Sequence, residues 1–209
     1  MAHSLVNSIR NQAVAQSPSR PAIAPGPEIK RFRRLITGRD VHGRSIIISD
    51  GLSPHVIPIM DQPNFAVTDF WKAFSSPADN SPATAKDPCS VPIQVAPPTG
   101  GHVFRVVQFP PDKDWAEKAA AAGGSMPIDG TAKAASKGGE ARHAHMHRTR
   151  SIDYAIVLQG EIWAVLDVGE SKMTAGDVLI QRGTNHAWAN RSNEACIMVF
   201  ILIDAQPLE

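Results

Sequence analysis

The last third of the chain constrains the fold most, because it carries a series of short β-strand patterns and no helical pattern. From residue 143 onward, short apolar runs follow one another with few residues between them. The predicted strands read AHMH, DYAIVL, EIWAVLDV, DVLIQ, HAWAN and ACIMVFILI. Turn-forming residues separate them, among them Gly160, Gly169, Gly176 and Gly183. Strands that succeed one another through short turns predict a closed antiparallel barrel or sandwich.

The preceding part of the chain divides into a tail, a β extension and the start of the barrel. The first residues are polar and end in the proline-rich run SPSRPAIAPGPE, which is typical of a linker. The runs RFRRLITG and RSIIIS predict two strands, and VFRVVQF predicts another at 103–109. Residues 64–74 are apolar enough to pack, either as a helix or as a strand. We therefore expect a flexible tail at 1–29, a β extension packed on the barrel at 30–100, and the barrel at 101–209.

A short helix and a polar insert precede the strand-rich region. Pro111 and Asp112 supply a helix start signal, DWAEKAAAA supplies strong helix formers, and Gly123-Gly124 predicts the end. Residues 124–142 have little apolar content and several glycines, which predicts a loosely ordered segment. This insert is either a plain surface loop or a lid over a site formed by the histidines that follow it.

Charge and cysteine content restrict the partners and the compartment. Lys and Arg number 21 and Asp and Glu number 20, a formal net charge of +1, so no overall field attracts nucleic acid or an anionic membrane. No run approaches the roughly 20 apolar residues that span a bilayer. Cys89 and Cys196 stand far apart and in no metal-ligand spacing. We expect a cytoplasmic protein that binds a small molecule, and neither nucleic acid nor membrane.

A group of histidines at the start of the strand-rich region is the strongest candidate for chemistry. His143, His145 and His147 alternate, so in a strand all three point to one face. Asp153 follows at the start of the next strand, and His186 comes after a glycine turn far along the chain. Imidazole and carboxylate groups together suit one divalent transition metal such as iron, manganese, nickel or zinc. The alternatives are a histidine-rich tract without a fixed ion, or ordinary polar strand residues.

The spacing of glycines and histidines resembles the two sequence motifs of the cupin superfamily. The residues that match the first motif are Gly139, His145, His147, Asp153 and Gly160. Those that match the second motif, within GDVLIQRGTNHAWAN, are Gly176, Asp177, Gly183, His186 and Asn190. The motifs and their strands cover about residues 101–204, half of the chain. The stretches MHRTRSIDYAIVLQGE and QRGTNHAW are similar to small single-domain cupins found in small-molecule pathways.

This resemblance implies a fold and a ligand set. The implied fold is an all-β cupin double-stranded β-helix, an RmlC-like jelly-roll barrel, with additional N-terminal strands and one short helix. The implied metal ligands are His145, His147, Asp153 and His186. The sequence departs from the family pattern in both motifs. Asp153 stands in place of a glutamate, and five residues separate it from His147, where the family has three or four. Gln181 replaces a proline, and the span before it is one residue short. Small cupins also often pair through added N-terminal strands, which implies a homodimer.

Alternation along the strands predicts the walls of a substrate pocket. Trp188 and Asn190 share the face of His186, and Tyr154 lies on another strand, so we place these three in the pocket, with plain core filling as the alternative. An apolar, aromatic wall favours a hydrophobic or aromatic ligand. Arg105 or Arg142 could hold a carboxylate bidentately, or be an ordinary surface arginine.

Three functions fit these residues. The first is a metal-dependent lyase or isomerase, of the decarboxylase, dehydratase or isomerase type, acting on a small hydrophobic or aromatic carbonyl or carboxylate metabolite. The second is an Fe(II) dioxygenase of the cupin type. The third is a cupin that binds a small molecule without catalysis, since the fold alone does not decide function.

Overall fold

The computed structural model describes residues 23–81, 86–117, 142–143 and 145–208, and this part of the chain is built from β-strands. The strands are β1 (Arg33–Arg39), β2 (Ser45–Leu52), β3 (Val56–Ile59), β4 (Gln62–Ala73), β5 (His102–Phe109), β6 (Ser151–Gln159), β7 (Glu161–Leu166), β8 (Glu170–Thr174), β9 (Val178–Arg182), β10 (His186–Ala189) and β11 (Cys196–Asp204). The predicted all-β class is confirmed. No helix in the described part is long and apolar enough to cross a membrane.

The predicted short helix is described only at its beginning. A 3₁₀ turn covers Asp112–Asp114, where the sequence places the helix start. The rest of the predicted helix from residue 118, and the predicted insert up to residue 141, lie outside the described residues.

Two antiparallel sheets form the barrel. The larger has six strands in the order β3-β4-β5-β11-β6-β9, and the smaller has three in the order β10-β7-β8. Strands β1 and β2 form a separate hairpin. The non-sequential neighbours β5-β11-β6 show that the chain crosses between the sheets, as in a jelly roll.

The hydrophobic core lies between the two sheets. The larger sheet contributes Val107, Ala155 and Met198, and the smaller contributes Ile162, Met173 and Trp188, all within one packed cluster. Burying a large apolar side chain contributes about 1.5–3 kcal/mol relative to leaving it exposed. The core therefore fixes which face of each strand points inward.

Alternation on β5 and β6 decides which side chains can reach a central cavity. On β6, Asp153 and Ala155 are buried on the inner face, whereas Tyr154 is exposed on the outer face. On β5, Arg105 is buried while its neighbour Phe104 is exposed. Two charged side chains are thus directed into the barrel by strand periodicity.

The described end of the predicted flexible tail packs against the barrel. The Gly26 amide donates to the Pro63 carbonyl at 2.8 Å. The Gln108 side-chain amide donates to the Glu28 carbonyl at 3.1 Å. These bonds attach the segment to β4 and β5. Residues 1–22 lie outside the described residues.

Candidate functional site

Two imidazoles that lie far apart in the sequence are neighbours in the fold. His147 and His186 form an isolated antiparallel bridge, with amide-to-carbonyl distances of 2.8 Å in both directions. Residues paired in this way project their side chains to the same face. The two ring centroids are 4.4 Å apart, and His186 is only 3% exposed. The pair is held by backbone pairing and does not depend on a flexible loop.

Both rings of this pair are fixed in one tautomer. The His147 Nδ1 donates to the carbonyl of His145 at 2.9 Å, and the His186 Nδ1 donates to the carbonyl of Thr184 at 2.9 Å. A carbonyl oxygen only accepts, so in each neutral ring the proton lies on Nδ1 and the lone pair on Nε2. Neither Nε2 has a hydrogen-bond partner among the described residues. An outer hydrogen bond on one nitrogen and a free lone pair on the other are what a metal-ligating histidine requires.

Burial keeps the two rings neutral at physiological pH. It lowers the pKa of His186 to about 3, and the adjacent His147 lowers that pKa further. Burial also lowers the pKa of His147, and His143 acts in the same direction. Neutral imidazole is the form that binds metals, so no proton has to be removed before an ion enters.

Asp153 supplies a carboxylate on the same side of the barrel. It lies on β6 between Leu202 and Gln181, is 4% exposed, and its Oδ1 has no hydrogen-bond partner in the described part. Burial raises the pKa of Asp153 to about 6, against the opposing effects of the Ser151 hydroxyl and the Arg105 charge. A buried carboxylate oxygen without a partner is unfavourable unless a cation or a donor completes it.

One cavity brings these three groups together. His147, His186 and Asp153 all line a cavity of about 90 Å³. The other lining side chains are mainly apolar or aromatic, and include Ile59, Phe65, Val67, Val107, Phe109, Trp188, Phe200 and Leu202. The arrangement offers a few polar groups in an apolar enclosure, which is typical of a small-molecule site.

The predicted strand AHMH does not form as expected. Only His147 and its neighbour Arg148 take part in a bridge, because the chain turns just before them. The Met146 amide bonds to the His143 carbonyl at 3.3 Å, which closes that turn. The alternation that put His143, His145 and His147 on one face therefore does not apply here.

His145 lies outside the backbone bridge but lines a small cavity together with His147, Trp115 and Trp188. Its ring packs on Trp115 at 4.8 Å between centroids, and neither ring nitrogen has a partner in the described part. Burial lowers the pKa of His145 to about 4, and the nearby His143 and His147 lower it further. His143 is paired with Asp112 at 3.3 Å. In this conformation no group of three or more His, Cys, Asp or Glu side chains in the described ranges is arranged to hold an ion.

The three residues predicted for the substrate pocket have three different positions. Trp188 lines the cavity and contacts the His186 ring edge-on, with 5.7 Å between centroids. Asn190 is fully buried but does not line the cavity. Its side-chain amide donates hydrogen bonds to the backbone carbonyls of Phe109 and Glu194. Tyr154 is 39% exposed on the outer sheet face, because its neighbours on β6, Asp153 and Ala155, are the ones that point inward.

Comparison with known proteins identifies the family. The Cupin domain family model matches residues 135–202. The "Phomopsin biosynthesis cluster protein C'" of Diaporthe leptostromiformis is 36% identical over 192 residues, which is 88% of this chain and 84% of that protein. This chain belongs to the cupin superfamily. The resemblance carried by the two histidine motifs is thereby confirmed.

Other relatives of this cupin carry more specific names. "Cupin-domain-containing oxidoreductase virC" of Hypocrea virens is 42% identical over 67 residues, 30% of this chain and 34% of that protein. "Cupin-domain-containing oxidoreductase srdD" of Neurospora crassa is 25% identical over 195 residues, 87% of this chain and 80% of that protein. A solved cupin 2 conserved barrel domain protein from Salinispora arenicola has a TM-score of 0.34 at 16% identity, covering 69% of this chain and 79% of that chain.

The cupin cavity also contains a charged residue whose position the sequence pattern left open. Arg105 is 4% exposed and lines the cavity, and its guanidinium pairs with Asp69. The signal for it is the alternation Val103, Arg105, Val107 on β5, which puts a charge at an inward position of an otherwise apolar face. Arg142, the other candidate, is exposed, and its guanidinium bonds to backbone carbonyls and to a glutamate.

Proposed function

We propose that this cupin is a metal-dependent oxidoreductase that acts on a small apolar metabolite bearing a carboxylate or carbonyl group. The observation that carries the proposal is the His147–His186 pair, whose free Nε2 atoms share an apolar cavity with Asp153, a carboxylate whose Oδ1 has no hydrogen-bond partner in the described part. Two imidazoles and one carboxylate are a donor set typical of non-haem Fe(II) enzymes, and they also suit manganese, nickel and zinc.

The chemistry of these donors suits a divalent transition metal, but in this conformation the described side chains are not arranged as a metal-binding group. His147 and His186 would hold the ion through Nε2, and Asp153 is the carboxylate that shares their cavity. When bound, the ion supplies a Lewis acid and an open position for substrate or dioxygen. The chain itself contributes orientation and an apolar surrounding: the Nδ1 hydrogen bonds fix both rings, and the cavity walls are mainly apolar and aromatic.

The relatives support oxidation over the lyase or isomerase reaction that the sequence favours. The virC and srdD proteins are named oxidoreductases. We propose dioxygen as the oxidant, since two imidazoles and one carboxylate with open coordination positions are the donor set of Fe(II) oxygenases. A non-oxidative lyase is the second candidate, because the raised pKa of Asp153, about 6, suits a general acid or base near neutral pH.

The test uses tag-free, full-length protein. We expect one divalent metal per chain by elemental analysis, and an Fe(II)-loaded form that gives an electron paramagnetic resonance signal with nitric oxide, a substitute for dioxygen. Oxygen uptake is then measured on a panel of aryl carboxylic and 2-oxo acids. Product formation without oxygen uptake would contradict the oxidoreductase proposal and support the lyase. A folded protein that retains no metal would leave only the non-catalytic binding cupin.

We further propose that two copies of the chain associate through exposed apolar surfaces. Strand β2 is exposed along its whole length, including Ile46, Ile47 and Ile48. The outer face of the six-stranded sheet exposes Val178 and Ile180. Contiguous exposed apolar side chains of this kind mark protein interfaces, and two such surfaces on one chain suit a second copy.

The expected mass in solution is twice the chain mass of 22.5 kDa. Light scattering on the wild type checks this, and the Val178→Lys variant is expected to shift the protein toward monomer. Val168→Lys is the matched control, because Val168 is 90% exposed but lies in the turn between β7 and β8, away from the sheet face. A wild-type protein with the mass of one chain would contradict the dimer.

A further inference from the structure

A buried cluster of charges lies beneath the cavity, on β4 and β5. Arg105 donates from Nε and one Nη to the two carboxylate oxygens of Asp69, at 2.9 and 3.3 Å. The Lys72 ammonium lies 3.1 Å from the same carboxylate. Asp69 is fully buried, and Lys72 and Arg105 are each 4% exposed. The cluster is therefore removed from water, where charge balance matters most.

The cluster carries more positive than negative charge. Two cations share one carboxylate, and the other partner of Lys72 is the neutral carbonyl of Pro92 at 3.3 Å. No second acidic group in the described part forms an ion pair with Arg105 or Lys72. Asp153 lines the same cavity as Arg105 and interacts with its charge, but the two side chains form no ion pair. Within the directly paired cluster, two buried cations therefore share a single carboxylate, which leaves room for a ligand anion beside Arg105.

The position of Arg105 suits it to receive the anionic group of a ligand. Its side chain alternates on β5 with Val107 and Phe109, and all three line the cavity. The bonds to Asp69 hold the guanidinium by its Nε edge, while the second Nη has no hydrogen-bond partner among the described residues. A planar guanidinium fixed in this way presents a rigid fork that matches a carboxylate.

We propose that Arg105 is the anchor for the carboxylate of this cupin's substrate, a small monocarboxylate with an apolar or aromatic body. The inference rests on the proposed function in one respect, that this cavity is the substrate site. The carboxylate binds the guanidinium of Arg105, and the apolar body lies along the aromatic wall that includes Phe109 and Trp188. The reacting part of the molecule is thereby placed on the side of His147 and His186.

The test compares two probes that differ in charge and hardly in shape, phenylacetate and phenylacetamide. Calorimetry is run on full-length protein stripped of metal with a chelator, so that no ion can bind the carboxylate. The wild type is expected to bind phenylacetate about tenfold more tightly than phenylacetamide, the magnitude of one charge-assisted hydrogen-bonded contact. Arg105→Gln is expected to bind both probes equally and weakly. Arg142→Gln, the control, should keep the wild-type preference.

Three results overturn the anchor: equal wild-type affinities, no binding of phenylacetate up to its solubility limit, or a preserved preference in Arg105→Gln. If Arg105→Gln fails to fold, NMR on the wild type still tests the anchor. The Arg105→Lys variant keeps the positive charge near Asp69, and comparing its spectrum with that of the wild type identifies the Arg105 side-chain signal. That signal is expected to shift with phenylacetate and not with phenylacetamide. An unchanged signal overturns the anchor.

The same measurement separates this inference from the proposed function. His147→Ala, stripped of metal, is expected to keep the carboxylate preference, because the anchor lies on a different strand. If the wild type prefers phenylacetate but never binds metal, the proposed oxidoreductase function is contradicted and the role of Arg105 is supported. If the wild type binds metal but shows no preference, only the role of Arg105 is contradicted.

Discussion

The His186→Ala variant is expected to hold no stoichiometric divalent metal and to lose all metal-dependent turnover. The substitution removes one of two Nε2 donors whose orientation is set by the His147–His186 bridge. Even outer-shell changes typically lower metal affinity 10- to 100-fold, so loss of a ligand should lower it by at least about 100-fold. Elemental analysis after dialysis against one equivalent each of iron, manganese, nickel or zinc measures the effect. His147→Ala should behave in the same way.

A matched control separates the site from general histidine binding of metals. His42 lies in the turn of the β1–β2 hairpin and is exposed, so His42→Ala is expected to load metal like the wild type. Full metal content in His186→Ala would show that the pair is not the metal site. Equal loss of metal in His42→Ala would instead support non-specific binding of metal by histidines across the chain.

The acid stability of the metal-free protein gives a second readout for His186. The folded chain keeps this ring neutral down to a pKa of about 3, whereas the unfolded chain takes up a proton near its ordinary value of 6.5. Stability is therefore lost as the pH falls from 6.5 toward 3, at about 1.4 kcal/mol per pH unit. His186→Ala lacks this loss, so its urea midpoint should fall less steeply between pH 6 and pH 4 than that of the wild type.

The sequence predicts the meeting of His147 and His186 because local signals fix the second histidine. Gly183 has a φ of 64°, a conformation that favours glycine, and the turn it forms delivers His186 to the start of β10. Strand β10 then pairs with β7, and the short turn fixes the register. Motif spacing reports such local geometry well, since each step involves neighbouring residues.

Predicting side-chain positions from local patterns fails where contacts between distant residues determine the conformation. His145 was expected beside His147 on one strand face, but a turn closed by the Met146–His143 hydrogen bond replaces that strand. The His145 ring packs against Trp115 instead. Asn190 keeps its motif position and yet bonds to backbone carbonyls of other elements. Alternation predicts a side-chain direction only if the segment is extended, and this condition depends on tertiary packing.

The charge cluster shows most clearly what the sequence alone does not predict. Arg105 and Asp69 are 36 residues apart and face each other because β4 and β5 pair with Asp69 opposite Arg105. Nothing local indicates that register, which includes a bulge just after Asp69. A sequence shows that one inward position is charged, but the partner that makes this tolerable is known only once the strands are paired.

Replacing Asp69 by asparagine is expected to lower the free energy of unfolding by about 3–5 kcal/mol, since it leaves two buried cations without an anion. The two side chains are of the same size, so the effect reports charge and not a cavity. Urea unfolding at pH 7 measures it. Asp50→Asn is the matched control: Asp50 also pairs with an arginine, Arg33, but both side chains are largely exposed at 42% and 64%, and solvent screens their interaction. The control should be hard to distinguish from the wild type.

The opposite deletion tests whether the cluster has excess positive charge. Lys72→Met removes one cation and leaves Asp69 and Arg105 as a balanced pair, and methionine retains much of the buried aliphatic volume. Its stability is expected to stay within about 1 kcal/mol of the wild type, because replacing a buried charge by a packed apolar group is often neutral or stabilising. If Lys72→Met instead destabilises as much as Asp69→Asn, the three residues act as a balanced hydrogen-bond network. The buried charge that calls for a substrate carboxylate at Arg105 would then be absent.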